Sequence, residues 1–231
     1  MSIKGNKMVS TKEKQYNILV EDNDEKGEVK LGLTSGHTYR YDAKRLTFLL
    51  SRYKFVSKMF DGLNNILEVG CGDGFGSTLV AQNVFHVTAI DFDLIFIENA
   101  NNLRNETSNV TFQVHDILKS PVDNKFDGVY SLDVLEHISK EQENLYMRNI
   151  VNSLENYGSL ILGMPSLESQ EYASPSSKIG HINCKSGNEL KILCQKYFHN
   201  VFLFSMNDEL VHTGFSPMAH YVLALCSNPK R

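Results

Sequence analysis

The chain has no run approaching the roughly 18 consecutive apolar residues that a membrane-crossing helix needs, so no membrane partner is expected of it. Met1 to Lys14 is polar and lysine-bearing with no apolar core behind it, unlike a secretory leader, and a cytoplasmic location is the expectation. The four cysteines, Cys71, Cys184, Cys194 and Cys226, form no Cys-x-x-Cys pair and no regular spacing. That speaks against a disulfide framework or a cysteine zinc site and for reduced thiols. A net charge of -4 and a pI near 6.1 withhold any general attraction for phosphate polymers, and a nucleic-acid partner is not expected. One local exception runs from Arg40 to Lys58, where six basic residues face the single acid Asp42; it reads as a solvated helix face or as an attractor for an anionic substrate. There is no internal repeat and no low-complexity tract.

What is present suffices for one sizeable core: 231 residues, 42% hydrophobic and 22% charged. Residues 1 to about 36 are rich in Lys, Glu, Asp, Asn and Gly, too polar to fold alone. The expected division is an N-terminal arm or lid over residues 1–38 and one domain over 39–231. Apolar residues from Tyr39 to Phe60 recur at three- and four-residue steps and predict an amphipathic helix. Then apolar runs alternate with helical stretches. Strands are expected at 66–69, 87–90, 110–114, 126–132 and 159–164, and helices at about 74–83, 94–105, 141–155 and 187–197. Such alternation predicts an α/β fold with a parallel sheet flanked by helices. Residues 166–182, rich in Ser, Glu, Pro and Gly, predict a long loop suited to a lid. The runs 201–206 and 219–226 leave no room for a crossover helix and must pair antiparallel.

The first strand ends in Glu68-Val69-Gly70-Cys71-Gly72-Asp73-Gly74 and passes into a helix, so backbone N–H groups and a helix N-terminus can approach a ligand unobstructed. A dinucleotide site requires Gly-x-Gly-x-x-Gly, and both registers fail, at Phe75 and at Ser77. Asp91 closes the second strand 21 residues after Gly70, where a carboxylate accepts ribose hydroxyls or caps the next helix. Asp116 ends the third strand, and Tyr130 to Ile138 carries a Glu-His pair beyond the fourth.

Over roughly residues 64 to 165 these motifs resemble the class I methyltransferases that use S-adenosylmethionine (SAM). The resemblance implies a Rossmann-like, seven-stranded, mostly parallel sheet with an antiparallel C-terminal strand and helices on both faces. It implies SAM as cofactor and S-adenosylhomocysteine as product, bound by Glu68, Gly70, Cys71, Gly72, Asp91, Phe92, Asp116, Ile117 and Leu132. Glu68 is expected under the methionine part and Asp116 at the adenine amino group, with loop capping as the other role open to Asp116. Catalytic candidates are His137, as general base or as a histidine bonded to a backbone carbonyl, and His181, which resembles a position bordering the acceptor pocket. No metal is expected. Asp133, Glu136 and His137, with His181, are nevertheless spaced similarly to the Glu-x-x-Glu-His set of ubiquinone-biosynthesis O-methyltransferases and the plant small-RNA 2'-O-methyltransferase. Asp133 departs from that pattern by its shorter side chain. Tyr39 and Arg45 are candidates for the cofactor's carboxylate, and His212 and His220 for the same sheet edge. The expected reaction is methyl transfer to an oxygen or nitrogen of a small metabolite such as a sugar or nucleotide-linked sugar. An NAD-dependent dehydrogenase and a catalytically silent SAM-binding module are the competing readings, and a homodimer is compatible with either.

Overall fold

The computed structural model of the chain describes residues 11–103 and 108–230, which divide into a unit ending at Leu31 and a unit from Gly32 onward. In the first unit a 3-10 turn at Lys14–Tyr16 leads into helix α1 (Asn17–Lys26), and neither buries a side chain. Gly27, with φ 77°, ends α1 in a conformation that glycine adopts without strain. The first ten residues of the expected arm lie outside the described residues.

The second unit begins with helices α2 (Leu33–Asp42) and α3 (Lys44–Met59). The single helix expected over 39–60 is therefore two. Its upstream half lacks a continuous apolar stripe, since Tyr39 and Tyr41 are exposed, whereas α3 buries Leu46, Tyr53 and Val56. There follow β1 (Asn65–Val69), α4 (Ser77–Ala81), β2 (His86–Asp91), α5 (Leu94–Leu103), β3 (Val110–Val114) and β4 (Phe126–Leu132). The expected end of α5 at residues 104 and 105 lies outside the described residues. Helix α6 (Glu143–Ser153) gives way directly to β5 (Leu154–Pro165), so the turn expected at 156–158 is strand. Residues 166–182 hold a 3-10 turn at Glu168–Tyr172 and a short helix α7 (Pro175–Gly180), capped by Ser174. Helix α8 (Gly187–Gln195) opens on a reciprocal capping box between Ser186 and Glu189, worth about 1 kcal/mol. The chain closes with β6 (Phe198–Asn207), β7 (Leu210–His212) and β8 (Tyr221–Pro229).

Among the described residues the strands form one sheet in the order β3-β2-β1-β4-β5-β8-β6-β7. Neighbours among β1 to β5 pair parallel, and β8 enters antiparallel between β5 and β6. The expected class therefore holds, with one strand more than expected. The extra strand β7 folds back on β6 across Asp208, whose φ of 50° suits a tight reversal. Alternation along each strand sends side chains to opposite faces. Leu67, Val129, Leu160 and Leu162 join Tyr146, Met147, Ile150 and Leu190 of α6 and α8. Ile66, Tyr130 and Ile161 meet Tyr53, Val56, Val80 and Ile97 of α3, α4 and α5 on the other side. The order reverses between β1 and β4, and open parallel sheets bind ligands at the carboxyl ends of strands beside such a reversal. No helix among the described residues is long and apolar enough to cross a membrane.

Candidate active site

At the end of β1 the backbone takes three left-handed steps, at Gly70 (φ 82°), Gly72 (φ 53°) and Gly74 (φ 72°). The bend is pinned from beneath by β2: Gly70 N–H and Cys71 N–H both donate to Ile90 O, at 2.8 and 3.0 Å. Asp91 faces the bend, one carboxylate oxygen accepting from Gly72 N at 3.0 Å and the other from Asp93 N at 3.0 Å. Its carboxylate thus spans the bend and the turn that follows β2, while the cap of the next helix is made by Asp93, which accepts from Ile95 N at 3.1 Å.

Glu68 lies on the opposite side of the backbone. It is 1% exposed and accepts from Tyr53 Oη (3.1 Å), Tyr130 Oη (2.8 Å) and Ser77 Oγ. Burial pushes its carboxyl up to about 7, against the opposing pull of the three hydroxyl donors. It braces the bend from within the core and lines neither cavity described below.

Two cavities meet over the bend. A cleft of about 720 Å³ runs along the strand ends and is lined by Gly70, Gly72, Asp91, Phe92, Asp116 and Ile117, together with His115, Val134 and Ile138. Asp116 also accepts from Leu118 N at 3.0 Å, the turn-capping role left open for it. A chamber of about 590 Å³ is lined by Cys71, Leu132, Glu136 and His181, with Arg45, Arg52 and, from α2, Leu33, Thr34, Ser35, His37 and Thr38. Thr34, Gly70, Gly72, Phe96, Asp133 and His137 belong to both walls. His137 therefore faces both cavities. Burial raises the Cys71 thiol far above its usual range, so it stays protonated. Tyr39, His212 and His220 line neither cavity; His212 bonds Asn207 Oδ1 at 2.9 Å and His220 packs against Phe48.

The chamber floor is built where β4 ends. Asp133 takes a left-handed φ of 58° and is gripped by Arg52, whose Nη1 lies 2.8 and 2.6 Å from its two oxygens. Arg52 in turn stacks on Tyr221, its guanidinium carbon 3.8 Å from the ring centroid. Burial works to lower the Arg52 pKa, and Asp133 and its neighbours outweigh that, so the guanidinium remains charged. Glu136 is 1% exposed and neither of its carboxyl oxygens has a hydrogen-bond partner in the protein. Burial, aided by Asp133, raises its pKa well above the usual carboxylate range.

Around Glu136 stand two ordered imidazoles. His137 Nδ1 lies 2.9 Å from Gly180 O, which can only accept, so Nδ1 carries the proton and Nε2 a lone pair. His181 Nδ1 is 2.7 Å from Gln170 Oε1, and the same reasoning frees its Nε2. The rings are 5.3 Å apart, and one donor atom from each of Glu136, His137 and His181 lies within 4.8 Å of the others. Burial and then His137 lower the His181 pKa, favouring the neutral ring. The end of the 166–182 segment is tied to the floor because Ile182 N and Asn183 N donate to Glu136 O, at 2.9 and 3.0 Å. Asn183 also joins the buried Lys185–Glu143 pair, whose ions are 2.5 Å apart. Arg52 and Thr34 were missed as site residues from the sequence. Arg52 was one of the basic residues of a helix face, and nothing local distinguishes it from its solvated neighbours.

The methyltransferase domain family matches residues 66–158, the segment that carries the bend, Asp91, Asp116 and the chamber floor. Over that segment the chain is similar to methyltransferase domains. It is similar to the ubiquinone biosynthesis O-methyltransferase of Rickettsia felis, 31% identical over 132 residues, which cover 55% of this chain and 51% of that protein. Its similarity to the phosphoethanolamine N-methyltransferase of Plasmodium falciparum is 28% over 101 residues, 43% of this chain and 38% of that one. The chain thus spans about half or less of the curated relatives it matches. In fold it resembles the N-methyltransferase NodS of Bradyrhizobium japonicum, solved with S-adenosylhomocysteine (TM-score 0.60, 19% identity, 79% of this chain and 86% of that one). The methyltransferase domain of bacterial CtHen1-C is similar to it as well, with a TM-score of 0.64, 12% identity and coverage of 78% and 98%.

Proposed function

We propose that this protein transfers the methyl group of SAM to an oxygen of a small acceptor, with the cofactor in the cleft and the acceptor in the chamber. The observation that carries this reading is the shared wall: Gly70, Gly72, Asp133 and His137 line both cavities. In this reading the bend holds the amino-acid end of SAM, Asp91 accepts from the ribose with the lone pairs its backbone donors leave free, and Asp116 and Ile117 flank the adenine. Bound there, SAM would supply the methyl group beside the wall that Gly70, Gly72, Asp133 and His137 share with the chamber. The acceptor oxygen attacks the methyl carbon in line, the carbon–sulfur pair goes to sulfur, and S-adenosylhomocysteine leaves as a neutral thioether. The acceptor proton passes to His137 Nε2, the ring nitrogen left free when Nδ1 bonds Gly180 O. Alignment and exclusion of water supply the remaining acceleration. Oxygen is favoured over nitrogen by the similarity to a ubiquinone biosynthesis O-methyltransferase. Arg45 on the chamber wall and the basic helix around it support an acceptor with a negative group, of which a nucleotide-linked sugar is one.

A second reading of the same floor is favoured by Glu136. A buried carboxyl group with no protein partner, flanked by two imidazoles with free Nε2 atoms, fits a divalent cation held by Glu136, His137 and His181. Such an ion supplies Lewis acidity that lowers the pKa of an acceptor hydroxyl. In either reading the chain's own groups orient the acceptor and close the floor against water.

The test is transfer from methyl-labelled SAM to a panel of catechols, sugars, sugar nucleotides and amines, beside titrations of SAM and NAD. His137→Ala is expected to keep S-adenosylhomocysteine affinity within about threefold while turnover falls about a hundredfold or more. Undiminished turnover removes His137 from the reaction, and NAD binding without SAM binding removes the whole proposal.

A further inference from the structure

By its place in the sequence Asp133 resembles a ligating acid, yet its carboxylate is turned to Arg52, with both oxygens within 2.8 Å of one guanidinium nitrogen. Among the described residues, the donor atoms that converge within 4.8 Å come from Glu136, His137 and His181, and Asp133 is not one of them. Arg52 is not free to follow Asp133 inward. Its side chain is 15% exposed and sits over the Tyr221 ring, fixed from a helix 81 residues away in sequence from Asp133.

We infer that Arg52 acts as a positioning residue that withdraws Asp133 from the coordination sphere, so that a divalent cation is held here by three side chains with only one carboxylate. This rests on the cation reading of the floor. The consequence is a matter of charge. Two positive charges against the single carboxylate of Glu136 leave a net +1, because Asp133 is already neutralised by Arg52; a set with two carboxylates leaves none. The floor then complements an acceptor presenting one negative oxygen, a phenol or alcohol, over a neutral amine.

The probe is Mn²⁺ alone, titrated into the full chain saturated with S-adenosylhomocysteine and followed by the electron paramagnetic resonance signal of the free ion. Glu136→Gln and His181→Ala are expected to weaken binding at least about tenfold. Asp133→Asn is expected to leave it within about twofold, asparagine being tolerated at a left-handed position. Arg52→Met, which releases Asp133, is expected to tighten binding severalfold, and adding Asp133→Asn to it to cancel that gain. Near-ultraviolet circular dichroism reports on folding. Should a single variant fail to fold with one buried charge left alone, the Arg52→Met/Asp133→Asn pair removes both charges and is expected to match the parent within about twofold. If Asp133→Asn or the pair loses Mn²⁺ as Glu136→Gln does, Asp133 is a ligand and the role given to Arg52 is overturned, while the cation reading stands. If the parent chain binds no Mn²⁺ but Glu136→Gln and the parent bind S-adenosylhomocysteine alike, the cation reading and the inference fall together.

Discussion

At the residue scale, a carboxyl group without water depends on the protons pointed at it, and Glu68 shows both sides of that dependence. Its three hydroxyl donors favour the anion, but burial is the larger effect and raises the pKa from 4.5 to about 7. Between those values the folded chain keeps a proton that the unfolded chain has lost. Glu68 therefore contributes stability that is fully present below about pH 4.5 and is lost as the pH rises through about 7, by at most ~3 kcal/mol. Glu68→Gln removes this titration. Its unfolding free energy relative to the parent should rise between pH 5 and 8, as read by urea denaturation at a series of pH values; a constant difference would show that Glu68 does not titrate in that window. The glycines give a second contrast. A Cβ at Gly70 overlaps Val134, whereas one at Gly72 meets only Thr34 Oγ1, at 3.8 Å. Both have positive φ, which costs an alanine about 1–2 kcal/mol. Gly70→Ala should thus be the more destabilising of the two in denaturant, and equal losses would count against the packing seen at Val134. The glycines, Asp91 and the histidines were legible because their chemistry sits in one short window each. Arg52 was not, because its partners Asp133 and Tyr221 lie far along the chain.

The same distance limit operates on elements. Helix α2 starts at Leu33, six residues before the expected helix, because its first turn is capped from elsewhere: Asp73, 38 residues away, accepts from Ser35 N at 2.7 Å and from Ser35 Oγ at 3.1 Å. No local pattern carries that information. Helix α8, by contrast, has its capping residues in its own sequence, and its start after Ser186 was legible. Short helices inside 166–182 were hidden by a composition that reads as loop. Because Asp73 belongs to the glycine bend and α2 lines the chamber, this cap ties the bend to the chamber wall. Asp73→Ala should cost about 1–2 kcal/mol and speed amide hydrogen exchange in residues 33–42 while leaving α8 unchanged. Ser186→Ala should do the reverse. Equal acceleration of both helices in either variant would mean that the caps report global stability and not local anchoring.

At the scale of the whole molecule, the fold was the most legible feature because it is redundant. Five apolar runs, all but the third and fourth separated by helices, specify a parallel doubly wound sheet even when individual boundaries slip by several residues, and the closeness of the last two runs forces β6 and β8 to pair antiparallel. The added β7 is three residues long, too short to announce itself by alternation. What this architecture leaves at its strand reversal is an open cleft whose walls come from β1, β2 and the loops after β3 and β4. A ligand there bridges elements that otherwise touch only through the sheet, and it binds the folded chain alone. Its binding free energy must therefore appear as stability. At a hundred times its dissociation constant, S-adenosylhomocysteine should add about 2.7 kcal/mol, which for a chain of this size raises the melting temperature by roughly 5–10 °C. NAD at the same concentration should leave it unchanged, since Phe75 and Ser77 stand where its glycine turn requires glycine. Differential scanning fluorimetry with both ligands decides the matter. A shift with NAD and none with S-adenosylhomocysteine would mean that the cleft, though placed at the strand reversal, recognises a dinucleotide despite Phe75 and Ser77.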